Sequence, residues 1–175
     1  MHDPTLLVIN PGSTSTKVAV FHGDQIEASD TLRHDAAAIA AFPRIFDQFD
    51  MRRDAVNKFL SDNSFPIERL SAVIGRGGVL PPLEGGVYIV DDVLVEALYE
   101  YGWNHASSLG GLIARDIAQA VGIPAYIADP VTTDELDDLA RITGLPEIER
   151  RSVFHALNQK AVARRAASAL GREYH

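Results

Sequence analysis

Four consecutive hydroxyl residues interrupt two apolar stretches near the start of the chain. The segment 6–23 reads LLVINPGSTSTKVAVFHG, and its hydroxyl residues are Ser13, Thr14, Ser15 and Thr16. A loop of this kind offers several N–H and O–H donors to a phosphate group. It is not a Walker A loop, because no second glycine stands before Lys17 and the next segment has a strand pattern. Glycine and serine also favour polar turns for backbone reasons alone, so the spacing leaves both interpretations open.

An arginine flanked by glycines follows a second apolar stretch. Arg76 stands in GRGG (75–78), directly after a short apolar run. Its planar guanidinium suits two-point binding of a carboxylate or a phosphate, and the glycines allow the backbone to approach a ligand closely. An arginine in a surface turn has the same local pattern, so both interpretations stay open here too.

Two histidines and an aspartate complete the candidate residues. His105 lies in NHASSLGG (104–111), before a helix start whose N–H groups and dipole favour an anion. Asp129 ends a strand in ADPV, the usual place for a functional residue in an open α/β sheet. His155 begins the last helix in FHALNQK, and each histidine is also compatible with a hydrogen-bonded structural role. The other histidines have no partner pattern, and we expect them to be solvated: His2, His22, His34 and His175.

Alternating strands and helices would position these residues. Apolar patterning predicts strands over 6–10, 17–22, 25–33, 71–75 and 123–129. Apolar residues three and four apart predict helices within 43–62 and over 92–101, 109–121 and 153–170, with a weak one over 134–141. Three successive strands followed by crossovers predict an α/β fold, with a mixed five-stranded sheet and helices on both of its faces.

The composition excludes several classes of protein. The 175 residues fit one domain, or one lobe of a larger enzyme, and no apolar run approaches the roughly 18 residues of a membrane span. A net charge of −8 argues against nucleic acid as a partner. The absence of cysteine excludes disulfides and thiolate metal sites, and it fits a reducing cytoplasm.

Six segments of the chain match one known pattern. They are LLVINPGSTSTKVAVF, AVIGRGG, EGGVY, HASSLGG, IPAYIADPV and LPEIERRSVFHALNQKAVARR, in this order from residue 6 to about residue 171. Together they resemble the acetate kinase family, and INPGSTSTK and FHALNQKAVAR are typical of its butyrate kinase branch. The resemblance implies the ribonuclease H-like ATPase lobe of the acetate and sugar kinase, heat-shock chaperone and actin superfamily.

The resemblance implies that the hydroxyl loop is the first phosphate-binding hairpin of a kinase that uses ATP and Mg²⁺. Asn10 would orient the metal-bound γ-phosphate, and Lys17 matches a basic position of the family loop. Asp129 would position magnesium through water, so Asn10 and Asp129 are the expected metal residues. The remaining residues expected at the phosphate are Gly12, Ser13, Thr14, Ser15 and Thr16.

The same resemblance implies a carboxylate acceptor. Arg76 would bind the carboxylate and then the transferring phosphoryl group, His155 would stabilise the phosphoryl oxygens, and His105 would assist from across the cleft. Acetate kinases resemble one another in a valine two residues after this arginine, where the chain has Gly78, so a longer acid such as butyrate or isobutyrate would fit. The expected pocket residues are Gly77, Gly78 and Phe154.

The resemblance covers about half of a family chain. It implies that residues 1–175 form the N-terminal acyl-kinase lobe, that the C-terminal lobe is absent, and that the lobe alone is inactive. It also implies a cytoplasmic enzyme that forms homo-oligomers at full length. The alternative is a non-catalytic ligand-binding or interaction lobe of the same fold.

Overall fold

A computed structural model describes residues 3–102 and 104–174 of the chain. Its centre is one six-stranded sheet with the strand order β3-β2-β1-β4-β6-β5. The strands are β1 (Thr5–Pro11), β2 (Ser15–His22), β3 (Gln25–Arg33), β4 (Ala72–Arg76), β5 (Val87–Ile89) and β6 (Ala125–Ala128). The prediction of an α/β fold with a mixed sheet is confirmed.

The pairing of the strands follows from the connections between them. Strands β1, β2 and β3 form antiparallel hairpins, β4 runs parallel to β1, and β6 runs parallel to β4. Strand β5 pairs antiparallel with β6 at the edge and makes the sheet six-stranded, whereas the sequence predicted five strands. Three residues after two glycines are too short to show a periodic pattern, which explains why β5 was not predicted.

The described residues form six α-helices and two short 3₁₀ helices, which lie between the strands and after the last of them. The α-helices are α1 (Ala36–Ala40), α2 (Phe49–Asp62), α3 (Asp92–Tyr101), α4 (Ser108–Val121), α5 (Asp138–Arg141) and α6 (Ala156–Ala169). The 3₁₀ helices are Ile45–Gln48 and Ile67–Arg69. Helix α4 ends at Gly122, whose positive φ of 70° is the left-handed conformation that favours glycine at a helix C-terminus.

The hydrophobic core lies between one face of the sheet and helices α2 and α4. Leu7 and Ile9 of β1 pair with Val20 and Val18 of β2, and all four side chains are buried on this face. Val56 of α2 and residues of α4 complete the same cluster. Alternation along β1 and β2 therefore separates a covered face from a more open one.

Glycines bring α4 unusually close to the sheet. A Cβ atom at Gly75 of β4 would lie 2.2 Å from the carbonyl carbon of Gly110 in α4. A Cβ atom at Gly110 would lie 2.6 Å from the carbonyl oxygen of Arg76. This contact holds the start of α4 beside the end of β4, where the candidate residues lie.

The opposite face of the sheet has no helix with a large buried contact among the described residues. Helix α6, which apolar residues at helical spacing predicted over 153–170, buries only Ala156 of its fourteen residues. Leu170, just after it, is 71% exposed. The expected cover on both faces is thus seen on one face only. Across the described residues, no helix has both the length and the apolar composition that a membrane crossing would require.

Candidate active site

A cavity of about 310 Å³ lies where strands β1 and β4 end, and most of the predicted site residues line it. Its walls come from the β1–β2 loop, the end of β4, the start of α4 and the start of α6. The lining residues are Asn10, Pro11, Gly12, Ser13, Ser15, Lys17, Arg76, His105, Ser107 and His155. Cavities of similar or larger volume lie elsewhere, for example beside Arg141 and Ile148, but the candidate residues do not line them.

Asp129 joins the cavity residues without lining the cavity. One carboxylate oxygen, Oδ2, accepts from Arg76 Nη2 at 3.2 Å and lies 3.1 Å from His155 Nδ1. The other oxygen, Oδ1, accepts the backbone N–H groups of Leu157 and Asn158 at 3.1 and 3.2 Å. The buried carboxylate therefore fixes a cation, an imidazole and the first turn of α6 at once.

The backbone of Asp129 adopts an uncommon conformation for a residue other than glycine. Its φ is +58°, in the left-handed region that Asp and Asn tolerate better than most residues. Such conformations cluster at functional sites, because the surrounding contacts hold them in place. Here the four contacts of the carboxylate supply that restraint.

Both histidines present Nδ1 to their protein partners, but the neutral rings carry their protons on different nitrogens. His155 Nδ1 lies 3.1 Å from both the carbonyl oxygen and Oδ2 of Asp129, which are acceptors only, so Nδ1 carries a proton. His105 Nδ1 accepts the backbone N–H of Ser107 at 3.3 Å and lies 2.7 Å from its hydroxyl. His105 therefore keeps its proton on Nε2, and neutral His105 can donate a hydrogen bond from that atom.

The hydroxyl loop is a three-residue turn between β1 and β2. Gly12 N–H donates to the carbonyl oxygen of Ser15 at 2.7 Å and closes the turn. Gly12, Ser13 and Ser15 line the cavity, whereas Thr14 does not. Thr16 is fully buried on the core face of β2, so its hydroxyl points away from the predicted phosphate position.

Two residues beneath the loop hold the Thr16 hydroxyl. Arg52 Nη1 donates to Thr16 Oγ1 at 3.2 Å, and His34 Nε2 lies 2.8 Å from the same oxygen. Burial, with the nearby charge of Arg52, lowers the pKa of His34, and burial lowers the pKa of Arg52. The expectation that His34 is solvated is wrong, because it packs against the loop.

Of the other three histidines that were expected to be solvated, the structure describes one. His22 Nδ1 lies 3.1 Å from Thr5 Oγ1 across the β1–β2 hairpin, so it is hydrogen-bonded and not simply solvated. His2 and His175 lie outside the described residues.

Sequence reasoning missed Arg52, although the sequence carries a signal for it. Arg52 lies three residues after Phe49 and four before Val56, at a core-facing position of the predicted helix. A charged residue in that stripe requires buried hydrogen-bond partners, which are too distant in sequence to be identified from the pattern.

The predicted acid pocket differs from the space that the structure provides. A Cβ atom at Gly78 would lie 2.6 Å from Ser108 Cα, and one at Gly77 would lie 2.8 Å from Pro130 Cα. Both glycines therefore permit close packing, and a valine at position 78 would push against α4. Phe154 is 45% exposed outside the cavity. The role of these three residues in substrate size stays a prediction.

The two residues predicted for magnesium, Asn10 and Asp129, differ in their access to the cavity. Every oxygen of the Asp129 carboxylate is already hydrogen-bonded to the protein, and only Asn10 of the pair lines the cavity. Among the described residues, no group of three His, Cys, Asp or Glu side chains is placed to hold a metal ion.

Comparisons with known proteins identify relatives along nearly the whole chain. Butyrate kinase 2 of Clostridium acetobutylicum is 50% identical over 170 residues, which are 97% of this chain and 48% of that protein. A probable butyrate kinase of Clostridium botulinum is 50% identical over 171 residues, with the same shares. No family model matches the sequence. The chain thus spans about half the length of the curated relatives it matches.

Solved structures agree at the level of the fold. Acetate kinase of Porphyromonas gingivalis has a TM-score of 0.65 at 15% identity, over 98% of this chain and 50% of that one. A propionate kinase of Francisella tularensis has a TM-score of 0.61 at 17% identity, over 97% and 50%. These kinases share the fold of this chain. The chain is therefore homologous, over nearly its whole length, to about half of a butyrate kinase.

Proposed function

We propose that the chain is the carboxylate-binding half of an ATP-dependent carboxylate kinase. The full enzyme would convert butyrate and ATP into butyryl phosphate and ADP. One observation carries the proposal: a chain 50% identical to butyrate kinases gathers the hydroxyl loop, Arg76 and two imidazoles around one cavity. Residues of the loop predicted to bind phosphate thus line the same cavity as the arginine predicted to bind the acid.

The proposed reaction requires alignment and charge neutralisation, with no covalent enzyme intermediate. A carboxylate oxygen attacks the γ-phosphorus of ATP, the new P–O bond forms, and the bond to the β–γ bridging oxygen breaks as ADP leaves. The carboxylate is already ionised, so no base must remove a proton. The catalytic demand is therefore to hold the reactants in line and to neutralise the transferring oxygens.

Each cavity residue has a chemical role in this proposal. Arg76 keeps one donor on Asp129 and offers the rest of its guanidinium to the carboxylate and then to the phosphoryl oxygens. His105 donates from Nε2, and His155 donates from Nε2 when its ring carries both protons. The hydroxyl groups of Ser13 and Ser15, which also line the cavity, would supply further donors.

A divalent metal would arrive with the nucleotide phosphates. Mg²⁺ is commonly held by substrate phosphates with one or two protein carboxylates, whereas the described residues that line this cavity include the Asn10 amide and no carboxylate. We therefore derive no step through a metal bound by this chain. The proposed family activity implies two substrates, ATP and a linear or branched short-chain acid. It also implies a complementary lobe, homo-oligomers and a cytoplasmic location.

The proposal is tested by joining the chain to the remaining half of the C. acetobutylicum relative. Butyryl phosphate is trapped with hydroxylamine in the presence of ATP, Mg²⁺ and butyrate. We expect product from the joined protein and none from residues 1–175 alone. Arg76→Ala and His155→Ala should each lower kcat by about 10²- to 10³-fold, the usual cost of removing a transition-state donor.

A matched control and two contrary outcomes complete the test. Arg141→Ala removes an arginine that pairs with Asp134 away from this cavity, and it should leave kcat within about twofold. Wild-type turnover in both cavity variants would overturn the residue roles. A folded joined protein that binds nucleotide without forming product would favour a non-catalytic ligand-binding lobe.

A further inference from the structure

A buried arginine lies directly behind the hydroxyl loop. The Arg52 side chain is fully buried, and its fork donates to the carbonyl oxygens of Ser13 at 3.1 Å and Ser15 at 3.3 Å. Its remaining described contacts are Thr16 Oγ1 at 3.2 Å and Gln48 Oε1 at 2.9 and 3.0 Å. One side chain thus binds three of the four hydroxyl residues from behind.

Arg52 and the neighbouring Arg53 differ in the charge of their partners. Arg53 pairs with the carboxylates of Asp50, Asp54 and Asp116 at the surface. The described partners of Arg52 are all uncharged oxygens. Because burying a cation is costly unless a counter-charge accompanies it, an arginine held only by neutral groups needs a reason to remain.

The geometry connects that charge to the cavity. Carbonyl oxygens repel anions, and Arg52 engages those of Ser13 and Ser15 on the side away from the ligand. The same two residues line the cavity. An anion on the loop would therefore meet donors backed by a positive charge, in a protein whose net charge of −8 otherwise repels anions.

We infer that Arg52 is a positioning residue of the anion site, which orients the hydroxyl loop and supplies it with an unneutralised positive charge. The inference rests on the proposed function, because its ligand is the phosphate group that this function requires. Gln48 supports the same role. Its amide oxygen accepts two hydrogen bonds from the Arg52 guanidinium without neutralising the positive charge.

The test measures the affinity of residues 1–175 for inorganic phosphate, by NMR titration of the backbone amides of 12–15. Arg52→Met removes both charge and hydrogen bonds. Gln48→Glu keeps an acceptor at the same place and neutralises the fork. We expect both variants to weaken phosphate binding by about 10- to 100-fold, the scale of an interaction with a charged group, and Arg52→Lys to recover part of the loss.

Two controls separate this effect from net charge and from stability. Arg53→Met changes the net charge by the same amount as either test variant, and Val56→Ala removes a fully buried side chain of the same helix. Both should bind phosphate within about twofold of wild type. If Arg52→Met does not fold, Gln48→Glu decides the question, because it leaves Arg52 paired.

The possible results differ in what they overturn. Unchanged affinity in Arg52→Met and Gln48→Glu, beside measurable wild-type binding, overturns the inference alone. An equal loss in Val56→Ala also overturns it, because stability would then explain the effect. No phosphate binding by the wild-type loop overturns the proposed function and this inference together.

Discussion

Asp129→Asn removes one charge from the centre of the candidate site while keeping the shape of the side chain. Asparagine also tolerates the left-handed backbone at this position, so the change acts on hydrogen bonds and not on the main chain. The amide has one acceptor where the carboxylate has two. Whichever way it turns, its NH₂ group faces either the two α6 N–H groups or the pair formed by Arg76 and His155.

The structure gives the expected size of the effect. Two hydrogen bonds are lost, and a hydrogen bond to a charged group contributes about 1.5–3 kcal/mol. The side chains of Arg76 and His155 are 28% and 30% exposed, so water replaces part of what they lose. We therefore expect the free energy of unfolding to fall by about 2–4 kcal/mol. With a urea m-value of about 2 kcal/mol/M, the middle of the usual range for small proteins, the midpoint should fall by roughly 1–2 M.

Urea unfolding followed by circular dichroism measures this change, with phosphate titration of the same samples. Asp134→Asn is the matched control, since Asp134 also accepts a backbone N–H and pairs with an arginine, Arg141, but does not contact the cavity. We expect a smaller loss of stability and unchanged phosphate binding in the control. An Asp129→Asn protein with wild-type stability and wild-type phosphate affinity would refute the assignment of Asp129 as the centre of the site.

Three other predictions follow from single contacts. Gly75→Ala should lower the free energy of unfolding by about 3 kcal/mol or more, because the new Cβ would meet the α4 backbone. The control variant Gly144→Ala, whose Cβ would lie in open space, should change this free energy by less than about 0.5 kcal/mol. Stability should fall as the pH drops below ~6.5, because the lowered pKa of His34 means that the unfolded chain binds its proton first. His34→Gln should remove that part of the pH dependence. Long-range ¹H–¹⁵N spectra should show neutral His105 with its proton on Nε2.

Each of these has a plain contrary result. Equal stability of the Gly75→Ala and Gly144→Ala proteins would mean that α4 does not touch β4 as described. An unchanged pH profile in the His34→Gln protein would mean that His34, which is half-buried, does not contribute to the pH dependence of stability. A proton on Nδ1 of neutral His105 would exclude the donor role assigned to its Nε2 atom.

Local sequence patterns predict the parts of the fold that depend on neighbouring residues. The β1–β2–β3 meander follows from apolar alternation and short glycine turns, and helix α4 follows from apolar residues at helical spacing before Gly122. Strand β5 is different, because its pairing with β6 depends on a partner 39 residues away and on no pattern of its own.

The resemblance predicted which residues surround the cavity better than it predicted their contacts. Asn10, Arg76, His105 and His155 all line the cavity. The place of Asp129 beneath Arg76 and His155, and that of Arg52 beneath the loop, depend on hydrogen bonds between residues 26 to 53 positions apart. No local pattern records such bonds, although a charged residue in an apolar stripe indicates that one is needed.

The most direct test of the central claim is an NMR titration of residues 1–175 with butyryl phosphate, the proposed product. This molecule carries both groups that the cavity is proposed to hold. We expect one saturable transition that shifts the amides of 12–15 together with those of Arg76 and His155, whereas inorganic phosphate alone should shift mainly the loop. Shifts confined to surfaces outside this cavity, or an unperturbed loop at saturation, would contradict the account.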